Sequence, residues 1–279
     1  MSIAVNDAFG RPFELDEPAR RIVSLIPSIS ETLFRLGAGG QVAGVSDFCC
    51  QPPEDVAAKP KVGGQKNPRL DAILALKPDL VIANVEENHK RHVEAMWAAG
   101  LKVFVTYPRT VKEGIQLIRD LGVLTGTQDR AEKLALGCEK ARAQIEADTV
   151  RRAPVRVFSP IWRKPYMTVN RDTYIHDVLH TCGAENIFQD RQERYPKVTL
   201  DEMADRRPDI ILLGDEPFPF AGRHLEDFRV FSLVPAVRTG RLHLLDGKIL
   251  SWYGPRIAES LGTLMGILLA GKSVPLGLP

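Results

Sequence analysis

Two stretches, LDAILALKPDLVIANVEEN (residues 70–88) and LDEMADRRPDIILLGDEPF (residues 200–218), keep register without a gap. Leu70 falls on Leu200, Asp71 on Asp201, Pro78 on Pro208, Asp79 on Asp209 and Glu86 on Glu216. In each, a short helical segment is stopped by proline, an Asp-aliphatic run reads as a strand, and an acid follows the strand's C-terminal end. Open α/β sheets place their ligand-binding loops at that end. Chance likeness between two ordinary helix–strand units is the bland alternative. The unbroken register argues instead for one unit built twice.

Working outward, RIVSLIP (21–27), VAGVS (42–46), DLVIAN (79–84) and KVFVTY (102–107) are short apolar runs of the kind buried on both faces of a parallel sheet. Amphipathic segments alternate with them, including PSISETLFRLGAGG, where Ser28 and Glu31 have capping-box spacing and glycines close the helix. A further helix is predicted from Asn88 to Ala99, and a hairpin over Ile3–Leu15 turning near Ala8–Arg11. From Gln128 to Val150 there is no proline and one glycine, which predicts a single helix about 33 Å long. The alternation then restarts with RVFSPI, YIHDVLHTCG, DIILLGD and RLHLLDG, and a helix within SWYGPRIAESLGTLMGILLAG closes the chain. The expected fold is α/β: two Rossmann-like lobes with mostly parallel sheets, residues 1–127 and 152–279, joined by a long rigid helix at 128–151.

Composition bounds the function. A chain of 279 residues suits two lobes, and 44% hydrophobic with 26% charged residues is that of a globular protein. With 37 basic against 35 acidic residues, the net charge of +2 gives no electrostatic reason to expect nucleic acid. No apolar run reaches the roughly 20 residues of a membrane span. The first residues lack the pattern of a secretory signal, so the chain as given reads as cytoplasmic, and as periplasmic if a signal has been omitted. Cys49, Cys50, Cys138 and Cys182 make no metal or disulfide spacing.

These words together resemble the substrate-binding proteins of iron-chelate and cobalamin ABC importers. RRIVSLIPSISETLFRLGAGGQVAGVSDF with LDAILALKPDLVIA is similar to that family's first lobe, and CGAENIF with VTLDEMADRRPDIILL to its second. DFCCQPP, VGGQKNP, NVEEN, YPRT, PIWRKPYMTV, RYPKVTL, DEPFPF and SWYGPR resemble a branch without signal peptide, described as helical-backbone metal receptor or cobalamin-binding-like. The resemblance implies a binding protein, not an enzyme, with no intrinsic cofactor. It implies a cleft between lobes that captures a metal chelate such as cobalamin, haem or an iron siderophore, and an ABC permease as partner. Glu86 and Glu216 take the positions of the acids that dock on permease arginines. Surface acids at strand ends are otherwise simply solvated.

Loops at strand C-termini supply the candidate ligand-binding residues: Pro27, Ser28, Phe48, Cys49, Lys66, Asn67, Asn88, Tyr107 and Arg109, then Trp162, Arg163, Tyr166, Tyr195, Phe218, Trp252, Tyr253 and Arg256. Flat rings with a few arginines suit a large planar ligand bearing carboxylates. Trp252 and Tyr253 serve equally well as anchors of the last helix. One departure weighs against cobalamin: cobalamin binders of that class can carry a tryptophan near the GGQKNP loop, and Gln65 cannot stack a corrin as an indole does.

Metal ligation by Cys49, Cys50, Glu86, Glu87 and Asp215 has no supporting spacing. His176 and His180 share one helix face but lack the glutamate of a zincin motif. GILLAGKS (266–273) fits the phosphate-loop expression, yet it continues a helix with an apolar interior, so Gly271 reads as a helix stop and Lys272 as a cation at its negative end. A cofactor-handling enzyme using Cys49 as nucleophile and Arg163 as carboxylate holder, or a cytosolic sensor, remains the alternative to a binding protein.

Overall fold

The computed structural model describes residues 3–270. Within them the chain divides into two compact units: residues 3–108, 112–138 and 253–255, and residues 109–111, 139–252 and 256–270.

The first unit opens with the hairpin β1 (Ile3–Asn6) and β2 (Pro12–Leu15). Its sheet comprises β3 (Ile22–Ser24), β4 (Val42–Val45), β5 (Leu80–Asn84) and β6 (Val103–Thr106), all parallel, in spatial order β4-β3-β5-β6. Helices α1 (Pro27–Arg35), α2 (Pro53–Ala57), α3 (Leu70–Ala75), α4 (Lys90–Ala98) and α5 (Val111–Thr125) intervene. Helix α6 (Gln128–Thr149) is unbroken, and the boundary between units falls inside it, after Cys138.

The second unit carries β7 (Val155–Phe158), β8 (Tyr166–Met167), β9 (Ala184–Asn186), β10 (Lys197–Val198), β11 (Ile210–Gly214) and β12 (Leu242–Leu245). Its parallel sheet runs β12-β11-β7-β9, while β8 and β10 pair antiparallel apart from it. The helices are α7 (Tyr174–Thr181), α8 (Leu200–Asp205), α9 (Glu226–Arg229), α10 (Pro235–Arg238), α11 (Lys248–Ser251) and α12 (Ile257–Leu269). Counted along the chain, the strands of both sheets stand in the order second-first-third-fourth. In each, the third strand is the repeated one, and it lies beside the first.

The repeat is fastened alike in both units. The Asp79 carboxylate accepts the main-chain N–H groups of Arg20 and Arg21 at 2.7 and 3.0 Å, and that of Asp209 accepts Arg156 at 3.0 Å. Their own N–H groups donate to the Arg21 and Arg156 carbonyls at 3.0 and 2.8 Å. The Arg21 guanidinium caps the helix carbonyl of Leu76 at 2.7 Å, and Arg156 caps that of Arg206 at 2.9 Å. Leu76 and Arg206 are the same repeat position, and the next residues, Lys77 and Arg207, turn left-handed at φ 47° and 48°. Helix-terminal carbonyls have no intrahelical partner, so a guanidinium and a left-handed turn before proline satisfy them in little space.

All five residues of β5 and all five of β11 are buried. In the second unit Phe158, Phe188, Phe228, Ile211, Leu213 and Met203 form the core on one face of the sheet. Each such side chain contributes about 1.5–3 kcal/mol on burial.

Several expectations are corrected. Helix α1 starts at Pro27 with Ile26 as N-cap and no side-chain cap, so Ser28 and Glu31 do not form a capping box. Proline has no N–H to satisfy and its φ is already helical, which draws the first turn forward. The capping box occurs at Thr199 and Glu202 instead. Helix α4 starts at Lys90 rather than Asn88. The stop at Gly271 and the cation Lys272 lie outside the described residues.

Candidate functional site

The residues after β7 form the richest cluster of the second unit. Ile161 donates its N–H to the Met167 carbonyl at 2.8 Å and Met167 returns one to Trp162 at 3.2 Å, fixing Trp162 on a short hairpin. Phe218, on the loop after β11, meets the Trp162 ring edge to face, with centroids 5.6 Å apart at 74°. Phe220 stacks behind, 4.8 Å from Phe218 and 6.4 Å from Tyr166. The indole stays 43% exposed, so an aromatic face is presented on an aromatic foundation.

Asp227 on α9 holds this hairpin. Arg163 donates Nε and Nη2 to its two oxygens at 2.6 and 2.9 Å, and Tyr166 donates its hydroxyl at 2.5 Å. The Arg163 hydrogen bond draws the Asp227 carboxyl down to about 2, while burial and the carboxylate push the Tyr166 phenol well above its ordinary value. Arg163 is thereby committed to a protein carboxylate. His224, buried beside Phe218 and Phe220, has its protonation depressed by burial and by Arg223. No local pattern announced Asp227 or His224.

A second group in the same unit gathers Arg109, Arg194 and Tyr195. Arg109 Nη1 and Arg194 Nη1 donate to opposite oxygens of Asp172, at 3.1 and 3.0 Å. Asp172 is fixed through its N–H, which donates to Asn170 Oδ1 at 2.8 Å. Arg194 also lies over the Tyr195 ring, 5.7 Å from its centroid.

In the first unit, Asn84 at the end of β5 organises the loop that follows. Its Oδ1 accepts the Glu86 N–H at 2.8 Å, its Nδ2 donates to Thr106 and to the Tyr253 hydroxyl at 3.2 Å each, and its N–H donates to Asn88 Oδ1 at 2.8 Å. Asn88 in turn donates to the Gln65 carbonyl at 2.7 Å, and Lys66 bonds the Glu86 carbonyl. Tyr253 is buried, and burial raises its phenol above the usual range. Gly254 beside it has φ 98° and leaves no room for a Cβ against Thr32 Oγ1, so Tyr253–Pro255 seat closely on α1. Asn84 and Thr106 went unnoticed because both close apolar strand runs.

Phe48, 63% exposed, and Asn67 pack over Gly64. Pro27 and Ser28 form the first turn of α1, with Ser28 buried, and Tyr107 is half-buried after β6. Cys49 is buried among hydroxyls, with Ser30 Oγ at 3.1 Å and Ser46 Oγ at 3.2 Å from its sulfur. None of the four cysteines forms a disulfide. Trp252 is buried in the second unit with Lys248 and Arg256 over its ring at 5.6 and 5.5 Å. Glu216 is half-buried: Ser251 Oγ donates to it at 3.0 Å, and burial raises its carboxyl above the ordinary value. Glu86, at the same repeat position, is half-buried as well.

Among the described residues no cluster of three or more His, Cys, Asp and Glu is placed to hold a metal ion. His176 and His180 stack with centroids 6.0 Å apart. No helix among the described residues is long and apolar enough to cross a membrane.

Comparison with known proteins agrees with this architecture. The sequence profile described as periplasmic binding protein matches residues 22–249. A vitamin B12-binding protein of Salmonella typhimurium is 30% identical over 196 residues, covering 70% of this chain and 73% of that one. One from Vibrio parahaemolyticus is 25% identical over 251 residues, 88% of each chain. Among solved structures, the apo periplasmic haem-binding protein RhuT of Roseiflexus sp. RS-1 superposes with a TM-score of 0.80 at 26% identity, over 91% of this chain and 99% of that one. The periplasmic vitamin B12-binding protein BtuF of Vibrio cholerae gives 0.80 at 23% identity, over 90% and 97%, and shows the same fold. Duplicated second-first-third-fourth sheets, the unbroken α6 and a profile match over most of the length lead to one assignment: the chain belongs to the periplasmic binding protein family, as a solute-binding protein of the ABC-importer class and not an enzyme.

Proposed function

We propose that this protein captures a metal tetrapyrrole, a corrinoid or haem, for an ABC importer. The observation that carries the reading is Trp162, exposed on the loop after β7 and braced edge to face by Phe218. A braced indole offers a flat ligand a stacking surface that is already ordered, so little side-chain entropy is lost on contact. Vitamin B12 and haem, which these relatives bind, are both built on a planar metal macrocycle. Trp162, Phe218, Tyr195 and Arg109, all in the second unit, are the proposed contacts.

Absorption titration of the purified chain with cyanocobalamin and with haemin tests this. Saturation at one ligand per chain by either compound is expected, with Trp162→Ala weakening it about tenfold. Saturation by neither ends the reading.

For delivery, we propose Glu86 and Glu216 as the acids that meet permease arginines, with the chain working on the periplasmic side as its relatives do. Both are half-buried, and Glu216 is held by Ser251. Charge reversal at Glu86 should abolish ligand delivery to a reconstituted importer while leaving ligand affinity unchanged. Delivery that survives Glu86→Lys overturns the assignment.

A further inference from the structure

We propose that the hollow between the β1–β2 hairpin and α4 of the first unit is a second binding site, one that takes a small aromatic carboxylate. It is built from none of the proposed macrocycle contacts and does not depend on that reading.

The hollow measures about 340 Å³, within the usual size of a small-molecule site. Pro12, Phe13, Leu101 and Val103 give it an apolar lining. Trp97, 37% exposed on the last turn of α4, adds a flat ring. The hairpin is tied down beside it: Phe13 packs on Phe104 with ring centroids 5.3 Å apart, and the Ala8 N–H donates to the Val105 carbonyl at 2.8 Å. Strand β6 starts at Val103 and ends at Thr106, three residues or about 10 Å further on. The hollow therefore lies at the start of the strand, away from the loop that follows it.

Its arginine is ordered before any ligand arrives. Asp7 Oδ1 accepts the N–H groups of Phe9 and Arg11 at 2.8 and 3.0 Å, while Oδ2 accepts Arg11 Nε and Nη2 at 3.0 and 2.8 Å. One carboxylate thus closes the hairpin turn and fixes the guanidinium. Arg11 also lies over the Phe9 and Trp97 rings, 4.8 and 5.4 Å from their centroids. Its side chain is 57% exposed, and Nη1 donates to no protein atom among the described residues. A cation fixed in advance loses little entropy when an anion meets it.

The lining is positive on balance, with Arg11 and Lys102 against Asp7. Lys102 pairs with Asp16 at 3.7 Å, but that acid stands fully in solvent, where such a pair is worth little. Three carbonyls that end α4, those of Ala95, Met96 and Trp97, already receive the N–H groups of Ala99, Leu101 and Gly100. Little of the helix's negative end is left to repel an anion. A flat ring against Trp97 and the apolar lining, with an ionised carboxylate at Arg11 Nη1 and Lys102, answers both halves of the site.

Saturation-transfer NMR titration of the purified chain with indole-3-acetate and with indole-3-acetamide tests this. The two probes share a shape and differ in charge. The acid is expected to bind at about 1 mM or tighter, and at least about fivefold more tightly than the amide. Arg11→Gln and Lys102→Gln should each at least halve that preference, and the double variant should abolish it. Lys102 takes no part in the turn, so its variant reads the site even where Arg11→Gln loosens the hairpin. Trp97→Ala should weaken both probes at least about fivefold while haemin and cyanocobalamin titrations stay unchanged. No saturation by the acid, or equal binding of acid and amide, overturns the proposal. Acid binding that Trp97→Ala leaves intact overturns it as well.

Discussion

Asp79 and Asp209 hold one position in two units, and each turns its carboxylate back onto the main chain at the start of its sheet's first strand, Arg20–Arg21 in one case and Arg156 in the other. The aspartate of Pro-Asp is thus a fastener between adjacent strands. Hydrogen bonds to a charged acceptor are worth about 1.5–3 kcal/mol. Asp79→Ala and Asp209→Ala should each lower stability by about 1–3 kcal/mol. Because the sites lie in different units with no shared partner, the double variant should be additive in urea unfolding.

Asp227 makes part of the stability acid-sensitive. Its folded value is about 2 against an unfolded 3.8, so the unfolded chain binds the proton first. The contribution is complete above about pH 4 and is lost as pH falls towards 2, amounting to no more than about 2 kcal/mol for this partly exposed group. Asp227→Asn should flatten the difference in urea midpoint between pH 5 and pH 2.5. The same variant should release Tyr166, seen as a fall in its phenol titration.

His176 acts in a higher window. Burial, with His180 and Arg171 nearby, lowers it to about 4 from 6.5, and its Nδ1 is buried without a hydrogen-bond partner. The folded state favours the neutral ring, so stability is full above about pH 6.5 and falls between 6.5 and 4, by up to about 3 kcal/mol. His176→Gln should remove most of that slope in denaturant midpoints measured across this range.

Gly247 admits no side chain. A Cβ there would stand 2.7 Å from the Glu216 carbonyl oxygen and 2.8 Å from its nitrogen, and backbone cannot step aside cheaply. Gly247→Ala should cost about 1–3 kcal/mol by thermal melting and displace the Glu216 loop. If Glu216 docks as proposed, importer delivery should fall with it while ligand affinity holds.

The strands and the repeat were legible because central parallel strands are buried on both faces and read as plain apolar runs, and because Pro-Asp punctuates two of them identically. The short strands β8, β9 and β10 were not, since two or three residues have no periodicity. Helix α5, Val111–Thr125, escaped notice between a strand and the more conspicuous α6. Ser28 misled because its spacing to Glu31 fits a capping box while Pro27 takes the first turn. In the candidate site, aromatics were found by their place after strands. Their partners were not: Arg163 meets Asp227 across 64 positions and Arg109 meets Asp172 across 63, and long-range ion pairs leave no local trace.

A boundary buried inside α6 has a practical corollary for handling the protein. Most two-part chains can be nicked where they are joined, because proteases need several residues of loose backbone to enter. Here the crossing after Cys138 lies in the middle of about six hydrogen-bonded turns, so limited digestion should bypass that point and cut in exposed loops instead.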